Sequence, residues 1–188
     1  MNYCNYEEYV RRAYLTAVRH GFHDEELPLC HFLMLVITEV CEMVEADSMG
    51  RRANVDKFKD AVSQEEWNLL FEENIKDTVE DEMADVCIRL FDLAGLMEFV
   101  PDGIDSKYLP DDYFERFRSR PFTLCAYELC GLLARCKEDK YEVRVIIELA
   151  LGLVTCWAKA EGIDLEWHIN QKMMYNEQCR ERLHGKKY

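Results

Sequence analysis

CHFLMLVITEVCEMVEADSMG, residues Cys30 to Gly50, decides the fold class of this chain. Pro28 stands just before the stretch and Gly50 closes it, the order of residues that opens and stops a helix, which predicts a helix from about Cys30 to Ser48. At about 100° per residue, Phe32, Leu35, Val36, Met43 and Ala46 surround Glu39. The carboxylate therefore lies inside the apolar stripe rather than opposite it. Glu42 follows three residues later on the same face, with Glu45 one step further. A helix that carries acids in its buried stripe must be read for chemistry as well as for packing.

The same periodicity extends in both directions. Tyr6 to His20 carries Tyr9, Val10, Tyr14 and Val18 at helical spacing and ends before Gly21. Arg51 to Asp77 is polar and mixed, with one apolar patch at Trp67, Leu69, Leu70 and Phe71, and holds one or two short helices. Thr78 and Asp81 have the spacing of a capping box, with Asp in place of the usual Glu or Gln. They open a helix that runs to about Phe99, which Pro101 closes. Asp102 to Arg120 reads as a loop with room for one turn. Further helices are expected over Pro121 to Lys137, Tyr141 to Ala160, and from the Asp164 cap to about Arg182. No segment alternates with period two. The expectation is an all-α helical bundle, and 188 residues suit one domain over 1–188, with a long insertion at about 100–161.

Composition narrows the function. Lys plus Arg number 23 against 37 Asp plus Glu, a net charge of −14, which argues against a nucleic-acid partner while leaving room for a nucleotide that arrives with its own Mg²⁺. Phe32 to Ile37 is the longest apolar run, too short to span a bilayer, so no membrane partner is expected. With 8 Gly and 4 Pro, a hairpin-rich β-sandwich is excluded. Nine cysteines, odd in number and without a CxxC pair, predict reduced and mostly buried thiols in a cytoplasmic protein and no zinc ribbon. Met34, Met43 and Trp157 read as core filling, and His20 with His23 as a surface turn about Gly21.

The helix after Thr78 repeats the pattern of the first. Glu82 and Asp85 are three apart, flanked by Val86, Leu93 and Leu96, and Arg89 stands one turn beyond Asp85, where it is expected to pair with it. Four acids facing one another across two packed helices would repel and lose solvation, and a divalent cation removes both costs. All-oxygen ligation suits Mg²⁺, with Mn²⁺ as the substitute, better than zinc. A di-iron carboxylate bundle would need Glu-x-x-His, and no His stands three residues after Glu39, Glu42 or Glu82. No GxxxxGK[ST] loop is present either.

Three blocks in order resemble the MazG-like all-α nucleoside triphosphate pyrophosphohydrolases: ITEVCEMVEA (Ile37 to Ala46), KDTVEDEMADVCIRLFDLAG (Lys76 to Gly95) and GIDLEWHINQKMMYNEQCRERLHGKKY (Gly162 to Tyr188). That superfamily carries an ExxE pair followed by an ExxD pair, matched here by Glu39 with Glu42 and Glu82 with Asp85. The resemblance implies a Mg²⁺-dependent hydrolase acting on acid anhydrides. It would take a ribo- or deoxyribonucleoside triphosphate to the monophosphate and pyrophosphate, in nucleotide-pool housekeeping. It makes Glu39, Glu42, Glu82 and Asp85 metal ligands, with Glu39 or Glu42 also the catalytic proton acceptor. Lys172, Tyr175 and Asn176, on one face of the last helix, become substrate-binding, and the basic residues Arg180, Arg182, Lys186 and Lys187 would close over the phosphates. Two alternatives stand beside it: a dUTPase- or dCTPase-like enzyme of the same superfamily, and a non-catalytic acidic helical interaction protein.

Two spacings depart from the family pattern: 39 residues lie between Glu42 and Glu82, and 66 between Gly95 and Gly162. Within the longer insertion, YELCGLLAR (Tyr127 to Arg135) echoes TEVCEMVEA (Thr38 to Ala46), with Glu128 and Cys130 in register with Glu39 and Cys41. Gly131 and Ala134 stand where Glu42 and Glu45 would be, and Ile146 and Leu149 where Glu82 and Asp85 would be. The echo predicts a degenerate second copy of the helix pair, related by a pseudo-two-fold and without metal ligands. A homodimer and a pseudo-dimeric monomer both remain open.

Overall fold

The computed structural model describes residues 6–59, 63–102, 113–135 and 139–178. They form α1 (Tyr6–Arg19), α2 (Leu29–Ser48), α3 (Val55–Phe58), α4 (Gln64–Asn74), α5 (Val79–Leu96), α6 (Tyr113–Ser119), α7 (Phe122–Leu133), α8 (Lys140–Glu161) and α9 (Leu165–Gln178). Among the described residues there is no strand, and no helix is long and apolar enough to cross a membrane.

The bundle is organised around α5. This helix packs against α1, α2, α8 and α9, and most of its residues, including Val79, Met83, Val86, Leu90 and Leu93, are buried. Thr78 caps it as the sequence predicts: its hydroxyl oxygen accepts from the Asp81 amide at 3.3 Å. The reciprocal half of the box differs, because the Asp81 carboxylate accepts from the Asp77 amide (3.1 Å) instead of reaching back to the Thr78 amide. Near the other end, α1 approaches α5 so closely that a Cβ on Gly95 would lie 2.6 Å from the Cβ of Tyr14. Glycine is therefore the residue this crossing requires.

A second, smaller apolar cluster holds Phe58, Phe71, Ile75 and Tyr175, with Trp67, Leu70 and Trp167 packed against it. It fastens the short helices α3 and α4 to α9. Leu69 is not part of it and is 57% exposed. Met34 likewise fails as core filling, being 52% exposed on the outer face of α2, whereas Met43 and Trp157 are buried as expected. Val18, counted with the apolar face of α1, is exposed as well. The segment read as a loop holds α6, an amphipathic helix whose Phe117 stacks on Trp157 at 5.7 Å. Its short length and mixed charge hid that one buried ring. The described cysteines are less buried than expected: Cys87 and Cys125 are interior, Cys130 and Cys156 half-buried, and Cys30 and Cys41 exposed.

In the insertion, α7 packs on α2 and α8 on α5. Glu128, the counterpart of Glu39 in the echo, is bound by Arg116 at 3.1 Å and Arg120 at 2.7 Å. Ile146 is buried and Leu149 half-buried. The last helix ends within the described residues at Gln178, and the basic tail from Arg180 to Lys187 lies outside them.

Candidate functional site

Two helices deliver the acids. On α2, Glu39 is 7% exposed and Glu42 stands exposed at the rim; on α5, Glu82 is 4% exposed and Asp85 half-buried. Glu39, Glu42 and Glu82 each bring a ligand oxygen within 4.8 Å of the others. Asp85 borders the same cavity, which has a volume of about 140 Å³. Three of the four sequence-predicted acids therefore group together, and the fourth, Asp85, lines the same cavity.

The cations beside them are placed differently from the sequence expectation. Arg89 Nε donates to Glu39 Oε1 at 2.8 Å, not to Asp85. The guanidinium reaches across to α2, because Asp85 already has a partner. That partner is Lys172 of α9, whose Nζ lies 2.8 Å from Asp85 Oδ2 and 2.6 Å from Asp81 Oδ2. Lys172 is only 6% exposed, so in this state its charge is committed to two carboxylates. Asp81, 1% exposed, was legible in the sequence only as a capping residue. With Asp77 and Glu82 it forms a second trio of acids within the same 4.8 Å limit.

Tyr175 borders the cavity, but its ring stacks on Phe71 at 4.6 Å and its hydroxyl donates to Glu72 Oε1 at 2.9 Å. It is a wall held by the second cluster. Asn176 borders the cavity and is half-buried. Sequence reading missed Arg12, Lys76, Phe22 and Asp92, which line the same cavity. It also misjudged the histidines: His20 is buried and lines the cavity, and His23 Nε2 bonds Asp92 Oδ1 at 2.7 Å. The positive-φ Gly21 (75°) ends α1 in a turn closed by the Phe22 amide on the Ala17 carbonyl (3.0 Å), which aims residues 22 and 23 inward.

Burial sets the electrostatics. It raises the Glu39 carboxyl above its ordinary range, with the Asp85 charge adding to it and Arg89 opposing. Burial and the Asp85 charge push Glu82 up to about 9. Burial pushes Asp81 up to about 6 against the pull of Lys172. Burial would lower Lys172, but the carboxylates of Asp81 and Asp85 hold it well above its ordinary value. Around neutral pH the Lys172–Asp81 contact is thus an ion pair, while Glu82 carries a proton unless a cation replaces it.

Two buried oxygens, Glu82 Oε2 and Asp81 Oδ1, have no hydrogen-bond partner among the described residues. A divalent cation that displaces the Glu82 proton would give its unpartnered oxygen a partner. The donor set of hard carboxylate oxygens fits Mg²⁺ or Mn²⁺. Glu39, Glu42, Glu82 and Asp85 are the residues that would hold it.

No protein-family model, curated protein or solved structure matches this chain.

Proposed function

We propose that this chain is a divalent-cation-dependent nucleoside triphosphate pyrophosphohydrolase that releases the monophosphate and pyrophosphate. The observation that carries the reading is the convergence of Glu39, Glu42 and Glu82 within 4.8 Å beside Asp85 in a cavity, with one buried oxygen of Glu82 unpartnered among the described residues. Carboxylates outnumber cationic side chains six to four in the cavity lining, so a polyphosphate enters favourably only with added positive charge. Bound there, Mg²⁺ would supply that charge and lower the pKa of a bound water.

The chain's own residues divide the remaining work. Water attacks the α-phosphorus, a new P–O bond forms, and the bond to the bridging oxygen breaks with its electrons leaving on pyrophosphate. The water's proton passes to a carboxylate. Glu39, one oxygen of which Arg89 holds, and Glu42, exposed at the rim, are the two candidate acceptors. Asn176 is placed to hydrogen-bond phosphate or sugar, and Tyr175 shapes the wall. Lys172 serves first as the counter-ion of Asp81 and Asp85, and Arg12 and Lys76 join it as cations of the cavity.

The test is a panel of common ribo- and deoxyribonucleoside triphosphates with Mg²⁺, read as pyrophosphate release. Turnover of at least one member, abolished by chelation, is expected. Inertness toward the whole panel, with either Mg²⁺ or Mn²⁺, overturns the reading and favours a non-catalytic helical protein.

A further inference from the structure

We infer that Arg89 is the positioning residue of Glu39, and that the His23–Asp92 pair holds Arg89 in place, so that the turn after α1 pre-sets the candidate cation site. The inference rests on the functional reading above only for the identity of the ion. Its geometry is independent of it.

Arg89 and Asp92 are three residues apart on α5 and so share a face, and the Asp92 charge acts on the guanidinium. Arg89 in turn donates to Glu39 Oε1 across the helix pair at 2.8 Å. Asp92 is 6% exposed, and its Oδ1 lies 2.7 Å from His23 Nε2. With Asp92 ionised, its carboxylate accepts from Nε2–H. The imidazole is packed between Tyr14 (5.3 Å) and Phe32 (5.4 Å), and its Nδ1 is buried without a hydrogen-bond partner among the described residues. Among the described residues the ring's one polar contact is the one to Asp92. The preceding residue, Phe22, covers the guanidinium from its face at 5.2 Å. One two-residue segment thus meets Arg89 directly through the Phe22 ring and, through His23, fixes Asp92, whose charge acts on the guanidinium.

A guanidinium anchored in this way holds one Glu39 oxygen and so fixes the carboxylate that groups with Glu42 and Glu82. Residues that orient a ligand in this manner typically carry 10- to 100-fold in metal affinity. Lysine in place of Arg89 would supply charge without the planar fork that fixes direction.

The test uses the full chain without substrate. His23→Leu removes the hydrogen bond and keeps the bulk; His23→Gln keeps an N–H donor near the place of Nε2. Two readouts are followed: Mn²⁺ affinity by electron paramagnetic resonance, and the solvent-exchange rate of the Arg89 Nε–H by NMR. His23→Leu is expected to weaken Mn²⁺ by about 10-fold or more and to speed Arg89 Nε–H exchange, with circular dichroism unchanged. His23→Gln is expected to restore both. Unchanged exchange in His23→Leu, or no rescue by His23→Gln, overturns the positioning role. If the wild-type chain binds no Mn²⁺, the metal-site reading fails, and the Arg89 exchange rate still decides whether His23 positions Arg89.

Discussion

At the residue scale, Glu82 is a buried acid held far from its ordinary ionisation. Its ordinary value is 4.5, and in the fold it is pushed up to about 9 by burial and by Asp85. The fold thus favours the neutral acid, and the stability this gives is complete below about 4.5 and is lost as pH rises through about 9. Without divalent cations the melting temperature should fall across that window, Glu82→Gln should flatten the fall, and the variant should be the more stable protein at pH 8 or so. A wild-type profile that is flat or rising there contradicts the burial argument. Lys172 gives the opposite sign. Removing its ammonium strands Asp81, so Lys172→Ala should cost about 3–5 kcal/mol in a urea titration, and an unchanged midpoint would show that the pair is not structural. The acids themselves were legible from their position in apolar stripes. Their counter-ions were not, because periodicity places residues on one helix and says nothing of which neighbouring helix supplies the partner. Arg89 was in hand and assigned to the wrong acid for that reason.

At the element scale, the crossing of α1 on α5 and the interior of α7 make a matched pair of tests. Gly95→Ala inserts a methyl 2.6 Å from the Tyr14 Cβ and should destabilise by about 1–3 kcal/mol. Gly131→Ala meets nothing within 4 Å inside α7 and should stabilise by about 0.5–1 kcal/mol, with no effect on pyrophosphate release, since α7 contributes nothing to the cavity. Thermal melts of both variants check the two signs. The long helices were legible from caps and breakers: Thr78, Asp164 and Gly50 all stand where the structure ends or begins an element. What escaped was α6, whose single buried Phe117 leaves too weak a stripe for period-3.6 reading. The turn at Gly21 escaped for a different reason. Its burial comes from packing against Tyr14 of α1, Phe32 of α2 and Asp92 of α5, a tertiary effect that local polarity conceals.

At the scale of the whole molecule, the all-α bundle follows from a composition poor in Gly and Pro and from amphipathic segments throughout, and α5 is its axis. The extra helices α7 and α8 cover α2 and α5 within one chain. We therefore propose that the acid-bearing pair needs no second subunit, and analytical ultracentrifugation should show a monomer; a concentration-independent dimer would return that role to a partner copy. The echo of Tyr127 to Arg135 with Thr38 to Ala46 remains a proposal of common origin, with Glu128 now serving Arg116 and Arg120. The candidate site was readable to the extent that four acids fall on facing helices; the rest of the cavity wall was not, because it draws on α1 and the Gly21 turn, which carry no motif. The most direct measurement is pyrophosphate release from a turned-over triphosphate as Mg²⁺ is titrated, for the wild type and for Glu42→Gln and Asp85→Asn. Saturable Mg²⁺ dependence in the wild type, with loss of at least about 100-fold in both variants at unchanged helical content, is the expected result. Full Mg²⁺-dependent turnover in both variants would contradict it.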